Sequence, residues 1–82
     1  LMAFRTEDWK ELQDMLHNEE VVFEFRKKDG SIRQAKGTLI ESYLPATEGK
    51  SGKQSSDNVV VYWDLDKNAF RSFVKENFVG AY

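Results

Sequence analysis

The sequence predicts a mainly β fold with one N-terminal helix, in which five strands curl into a small half-open barrel. Three observations predict it. Apolar residues recur at helical spacing only near the start of the chain, at Trp9, Leu12, Met15 and Leu16. From Val21 onward the apolar period shortens to two, the repeat of a strand with one buried face. Turn chemistry then separates the β-rich runs, first at Asp29-Gly30 and again at Asp66-Lys67-Asn68. With 82 residues, a chain buries only about 60–65% of its unfolded surface. The expectation is therefore one domain over residues 1–82 with one small core.

The helix is expected over 6–16. Thr6 stands where an N-cap would, Glu7 and Asp8 suit the positive end of the helix dipole, and Phe4 lies just ahead. The helix ends near His17-Asn18. In the first strand Val21, Phe23 and Phe25 share one face, and Val22, Glu24 and Arg26 the other. Asp29-Gly30 returns the chain into "SIRQAKGTLI", where Gly37 marks an expected bend or bulge. Pro45 closes this unit. Residues 46–58, poor in apolar side chains and rich in Gly, Ser and Lys, read as a mobile surface loop within the domain. "VVVYWDL" is the third strand, "AFRSFV" the fourth, "KEN" a tight turn and "FVGAY" the last strand. Five strands in sequential antiparallel pairs after one helix predict an SH3-like or Sm-like barrel over 21–79.

Composition excludes several functions. With no cysteine there is neither a disulfide framework nor a thiolate metal site, and a single histidine, His17, cannot build a multi-histidine zinc site. No Ser-His-Asp or Cys-His constellation is evident, and His17 sits at a helix end, where it serves terminal carbonyls. Asp64 and Asp66 beside Lys67-Asn68 read as turn residues rather than paired catalytic carboxylates. "GKSGK" lacks the spacing and strand-to-helix setting of a phosphate loop and reads as a lysine-bearing surface loop. No enzyme activity, cofactor or metal is expected. No apolar run approaches the ~20 residues that cross a bilayer, and no signal-peptide pattern opens the chain, so a cytoplasmic protein without a membrane partner is expected. The net charge of −2 is unevenly placed: residues 1–20 carry two bases and six acids, and residues 21–82 ten bases and eight acids. An acidic helix thus stands beside a mildly basic body.

"FEFRKKDGSIRQAKGTL" and "VVVYWDLDKNAFRSFVKENF" together resemble a WYL-like family of small phage- and Bacteroidetes-associated proteins with Sm-like or SH3-like barrels. The matching positions are Lys27, Asp29, Gly30, Arg33, Gly37, Thr38, Leu39, Asp64, Lys67, Phe70, Arg71, Ser72 and Phe73. The family favours Trp where Phe70 stands and a basic residue where Val74 stands. The resemblance implies the barrel. It also implies contact with nucleic acid or a regulatory ligand, in the cytoplasm of a host cell if the protein is phage-encoded.

The candidate nucleic-acid-binding residues are Lys27, Lys28, Arg33, Lys36, Tyr62, Arg71 and Phe73. Lysines and arginines crowd the first hairpin, and Arg71 approaches them if the sheet closes. Tyr62, of opposite parity to Val61 and Trp63, is expected to be exposed. Trp63 and Phe70 are expected in the core, which puts Arg71 and Phe73 on the outer face. The basic side chains would neutralise phosphates, and Tyr62 or Phe73 would stack a base. The same residues also fit a plain solvated barrel face, on which lysines protect strand edges and Arg71 pairs with Asp64 across the hairpin. The competing function is a protein-interaction module: a host-enzyme inhibitor, a binder of a phage protein, or a strand-edge homo-oligomer.

Overall fold

One helix and five strands form in the order that the sequence puts them. The computed structural model describes residues 3–46 and 57–82. Helix α1 (Trp9–Asn18) is followed by strands β1 (Val21–Arg26), β2 (Ile32–Thr38), β3 (Val59–Asp64), β4 (Ala69–Val74) and β5 (Phe78–Ala81), with short 3-10 turns at Glu41–Tyr43 and Lys75–Asn77. Most of the expected loop at 46–58 lies outside the described residues.

The helix starts later than 6 because Thr6 has another task. Its backbone is a bridge partner of Ala81, accepting from the Ala81 N–H at 2.9 Å while the Arg5 N–H donates to the Ala81 carbonyl at 2.6 Å. The capping role passes to Asp8, which is extended and accepts from the Lys10 N–H at 2.9 Å. The Thr6 hydroxyl accepts from the Asp8 N–H and donates to the Glu11 carboxylate, tying the helix start to the β5 end. At the other end the helix runs past Leu16 to Asn18, and the Glu19 N–H closes it on the Met15 carbonyl.

The sheet order is β4-β3-β2-β1-β5, antiparallel throughout. Sequential pairing therefore fails at the last strand: the 3-10 turn at Lys75–Asn77 carries the chain from β4 across to the far edge, beside β1. The sheet curls enough for Phe73 of β4 to stack on Phe25 of β1 at 4.7 Å and on Phe78 of β5 at 5.9 Å. It closes by side chains and not by a ladder between β4 and β5, which makes it half-open. The backbone irregularity lies between Glu24 and Phe25, facing β5, and not at Gly37. Gly37 is small for a different reason. A Cβ there would stand 2.6 Å from the Tyr62 ring.

Val21, Phe23 and Phe25 face inward as expected, joined in the core by Leu12, Leu16, Ala35, Val60, Tyr62, Phe73 and Ala81. In β3 and β4 the expected parity is inverted. Tyr62 is 0% exposed and Phe73 5%, whereas Phe70 is 46% exposed. Trp63 is half-buried on the outer face, edge-on to Phe70 at 5.0 Å. Alternation cannot choose here, because Val59, Val60 and Val61 followed by Tyr62-Trp63 put apolar groups on both faces. The choice is made by Phe23, which meets Tyr62 at 4.9 Å and Phe73 at 5.6 Å.

Helix and sheet are latched by Thr38, which is fully buried. Its hydroxyl lies 3.1 Å from the Leu16 carbonyl and 2.9 Å from that of Glu19, and it accepts from the Ile40 N–H at 3.1 Å. Thr38→Val keeps the shape and removes the hydroxyl's bonds to the Glu19 carbonyl and the Ile40 N–H, while the Leu16 carbonyl keeps the Leu39 N–H at 2.7 Å, so a loss of about 1–3 kcal/mol is expected in urea unfolding. An unchanged midpoint would show that water or a shifted helix end satisfies them.

Candidate nucleic-acid interface

The β1–β2 hairpin presents its charges on a well-formed turn. The Lys27 N–H donates to the Ser31 carbonyl at 2.7 Å, the Gly30 N–H returns to the Lys27 carbonyl at 2.9 Å, and Gly30 takes φ +91, which a side chain would strain. Asp29 accepts from both the hydroxyl and the N–H of Ser31, at 2.6 and 2.9 Å. Those bonds, the hydroxyl's first, and the charge of Lys27 hold its carboxyl below the ordinary carboxylate range. Arg26 donates to the Gly30 carbonyl at 2.8 Å. Lys27 and Lys28 project from this tip, both exposed.

Arg33 lies on the inner side of β2, opposite Phe25. It donates to Asp64 Oδ2 at 2.8 Å, with its own side chain 24% exposed and that of Asp64 at 0%. The other oxygen, Oδ1, accepts from the Asp66 and Lys67 N–H groups, both at 2.9 Å. Asp64 therefore does build the β3–β4 turn, in which Asn68 takes a positive φ of 54. The expected pairing of Arg71 with Asp64 does not occur: the carboxylate bonds to Arg33 of β2 and to the turn amides instead. Arg71 instead faces the same concavity directly opposite Tyr62, and its side chain is exposed. Burial pushes the Tyr62 phenol up, and Asp64 adds to that, while the charges of Arg33 and Arg71 pull it back.

Of the residues proposed from sequence, Arg33 and Arg71 are brought together above Tyr62, and Lys27 and Lys28 share the hairpin tip. Lys36 is separated from Arg33 by strand parity. It sits on the outer side of β2, paired with Glu20 at 3.4 Å. The Tyr43 hydroxyl also donates to Glu20 at 2.7 Å, and with Lys36 it holds that carboxyl below its usual range. Tyr62 and Phe73 are corrected: both rings are packed in the core and offer no free face to a base. Phe70, expected inside, is exposed, as is Tyr43; the signal in the sequence for Phe70 is the double-sided apolar pattern of β3. The ion pair of Arg33 with Asp64, 31 positions apart, carries no sequence signal.

Among the described residues no group of three or more His, Cys, Asp or Glu side chains could hold a metal ion. No helix among them is long and apolar enough to cross a membrane. No curated protein and no solved structure gives a significant match to the chain. The WYL_2 family model, described as an Sm-like SH3 beta-barrel fold, matches residues 9–79. That span takes in the helix, strands β1 to β4, the start of β5 and every basic residue of the hairpin, and the chain belongs to the WYL_2 family.

Proposed function

We propose that this WYL_2 chain is a non-enzymatic binding protein that takes a nucleic-acid strand across the β1–β2 hairpin tip and the concave arginines. The observation that carries the reading is the distribution of ion pairs. The three side-chain ion pairs among the described residues engage Arg5, Arg33 and Lys36. Lys27, Lys28 and Arg71 stand outside them, as do Lys10, Arg26, Lys67 and Lys75, and the first three, with Arg33, lie on the tip and inner side of the sheet. Such cations can displace the counterions of a polyanion. The family fold is compatible with this role. The acidic helix, repelled by phosphates, would face away from the strand. A cytoplasmic location, that of the host cell for a phage-encoded protein, belongs to the same proposal.

Fluorescence anisotropy with single-stranded DNA and RNA over a salt series tests it. Replacing Lys27 and Lys28 together by Gln should weaken binding regardless of base sequence and flatten the salt slope by about 0.7 per lost contact on a single strand. Arg33 is left out of that pair because its loss would strand the buried Asp64 carboxylate. Absence of binding by the unmodified protein at low salt to single- or double-stranded DNA or RNA would end this reading.

A second reading is favoured by the outer face of β3 and β4. Exposed Phe70 leans on half-buried Trp63 there, and β4 is an edge strand. Such a surface suits a protein partner, either a host enzyme that it would inhibit or a second copy paired along the edge. A defined oligomer by light scattering, together with absent nucleic-acid binding, would favour it.

A further inference from the structure

The structure assigns Arg33 and Arg71 to a seat for one backbone phosphate, with Asp64 as the residue that positions it; this rests on the nucleic-acid reading above.

The register supplies the geometry. Tyr62 is opposite Arg71 and Asp64 opposite Ala69, so Arg71 is the diagonal neighbour of Asp64 on one face. Arg33 reaches the same carboxylate from β2 at 2.8 Å. Arg33 and Arg71 therefore stand on the same inner face, on opposite sides of β3, beside the buried ring of Tyr62. Their shared influence on the Tyr62 phenol agrees with that placement.

The single carboxylate does not satisfy both. Oδ1 accepts from two turn amides and Oδ2 from Arg33. Arg33 uses only one of its five N–H groups in that bond, and its side chain keeps 24% of its surface exposed. Arg71 makes no ion pair with Asp64 or with any other carboxylate among the described residues. On this inner face the two arginines are thus matched by one paired carboxylate, and Arg71 stays exposed. A tetrahedral phosphate with several acceptor oxygens matches two planar guanidinium forks better than it matches lysines, whose charge is a point on a flexible stem. Asp64 touches no phosphate. It is negative, and its contribution is to hold Arg33 in place.

That arrangement makes an expectation opposite to simple charge counting. Asp64→Asn removes a negative charge, which by long-range electrostatics alone should tighten binding to a polyanion. Its amide oxygen can still accept from Asp66 and Lys67, but the charged partner of Arg33 is gone. If Asp64 positions the seat, a thymidine decanucleotide should bind Asp64→Asn about tenfold more weakly, the loss of one charge-assisted hydrogen bond. Arg71→Lys keeps the charge and loses the fork, and a similar weakening is expected at an unchanged salt slope. Amide NMR spectra establish that each variant is folded. If Asp64→Asn is not folded, Arg71→Lys decides alone.

The Arg33 and Arg71 Nε–H resonances, titrated in the unmodified protein with inorganic phosphate and with the decanucleotide, separate the two ideas. Joint saturation of both resonances by either probe supports the seat. Tighter binding by Asp64→Asn with no effect of Arg71→Lys, while the decanucleotide still binds, overturns the seat and leaves the nucleic-acid reading standing. Movement of both arginines with phosphate but no binding of the nucleic acid overturns that reading and keeps an anion seat. No movement with either probe overturns both.

Discussion

Phe73→Ala should cost about 3–5 kcal/mol in denaturant unfolding, a large part of the roughly 5–15 kcal/mol that holds a small domain folded. Phe73 is the side chain that closes the curled sheet. It stacks on Phe25 at 4.7 Å and Phe78 at 5.9 Å and meets Phe23 at 5.6 Å, so one ring joins β4 to β1 and β5 where no strand ladder does. Removing it opens a cavity bounded by other large rings held on three strands, which cannot all move in together. Phe70→Ala, three positions away on the same strand, should cost far less. It loses only the contact with Trp63, worth about 0.5–1.5 kcal/mol. Equal losses for the two variants would mean that β4 has the opposite face inward. Trp63, by the same logic, is a partly covered outer residue, and its truncation should fall between these two.

Gly37→Ala should destabilise by about 1–3 kcal/mol through overpacking, although alanine is ordinarily harmless in a strand. The added methyl would stand 2.6 Å from Tyr62 Cδ2 and 3.0 Å from the Trp63 carbonyl oxygen. The Tyr62 ring cannot swing aside freely, because it is fully buried and edge-on to Phe23 at 4.9 Å. Nor can β2 shift cheaply: Gly37 is paired with Val21 on one side and with Asp64 on the other. Since the β2–β3 register is short, at Gly37 and Thr38 with one more backbone bond from the Leu65 N–H to the Lys36 carbonyl, a small displacement there loosens the joint between the two hairpins. Thermal unfolding of Gly37→Ala followed by near-ultraviolet circular dichroism reports both the stability and the tyrosine environment. An unchanged melting temperature and spectrum would show that the ring has room which these distances deny.

The kind of each element was legible in the residues. A period of 3.6 at Trp9, Leu12 and Leu16 can be satisfied only by a helix with one buried stripe, and Val21, Phe23 and Phe25 only by a strand with one buried face. Asp29-Gly30 and the Asp64–Asn68 turn are likewise local, since their hydrogen bonds span a few positions. Other features depend on groups far apart in the chain. Thr6 and Asp8 are both good caps, and the bridge to Ala81 decides between them. Tyr62 and Trp63 are both apolar, and the packing of Phe23 and Phe25 selects the one that turns inward. β5 lies beside β1 because the curl of the sheet brings that edge within reach of a three-residue turn. The candidate site divides in the same way. Lysines at a hairpin tip are exposed wherever the hairpin goes, so Lys27 and Lys28 could be placed from sequence. Arg33 pairs with Asp64, and Arg71 comes to lie on the same face, only when three strands are in register, which local sequence does not supply.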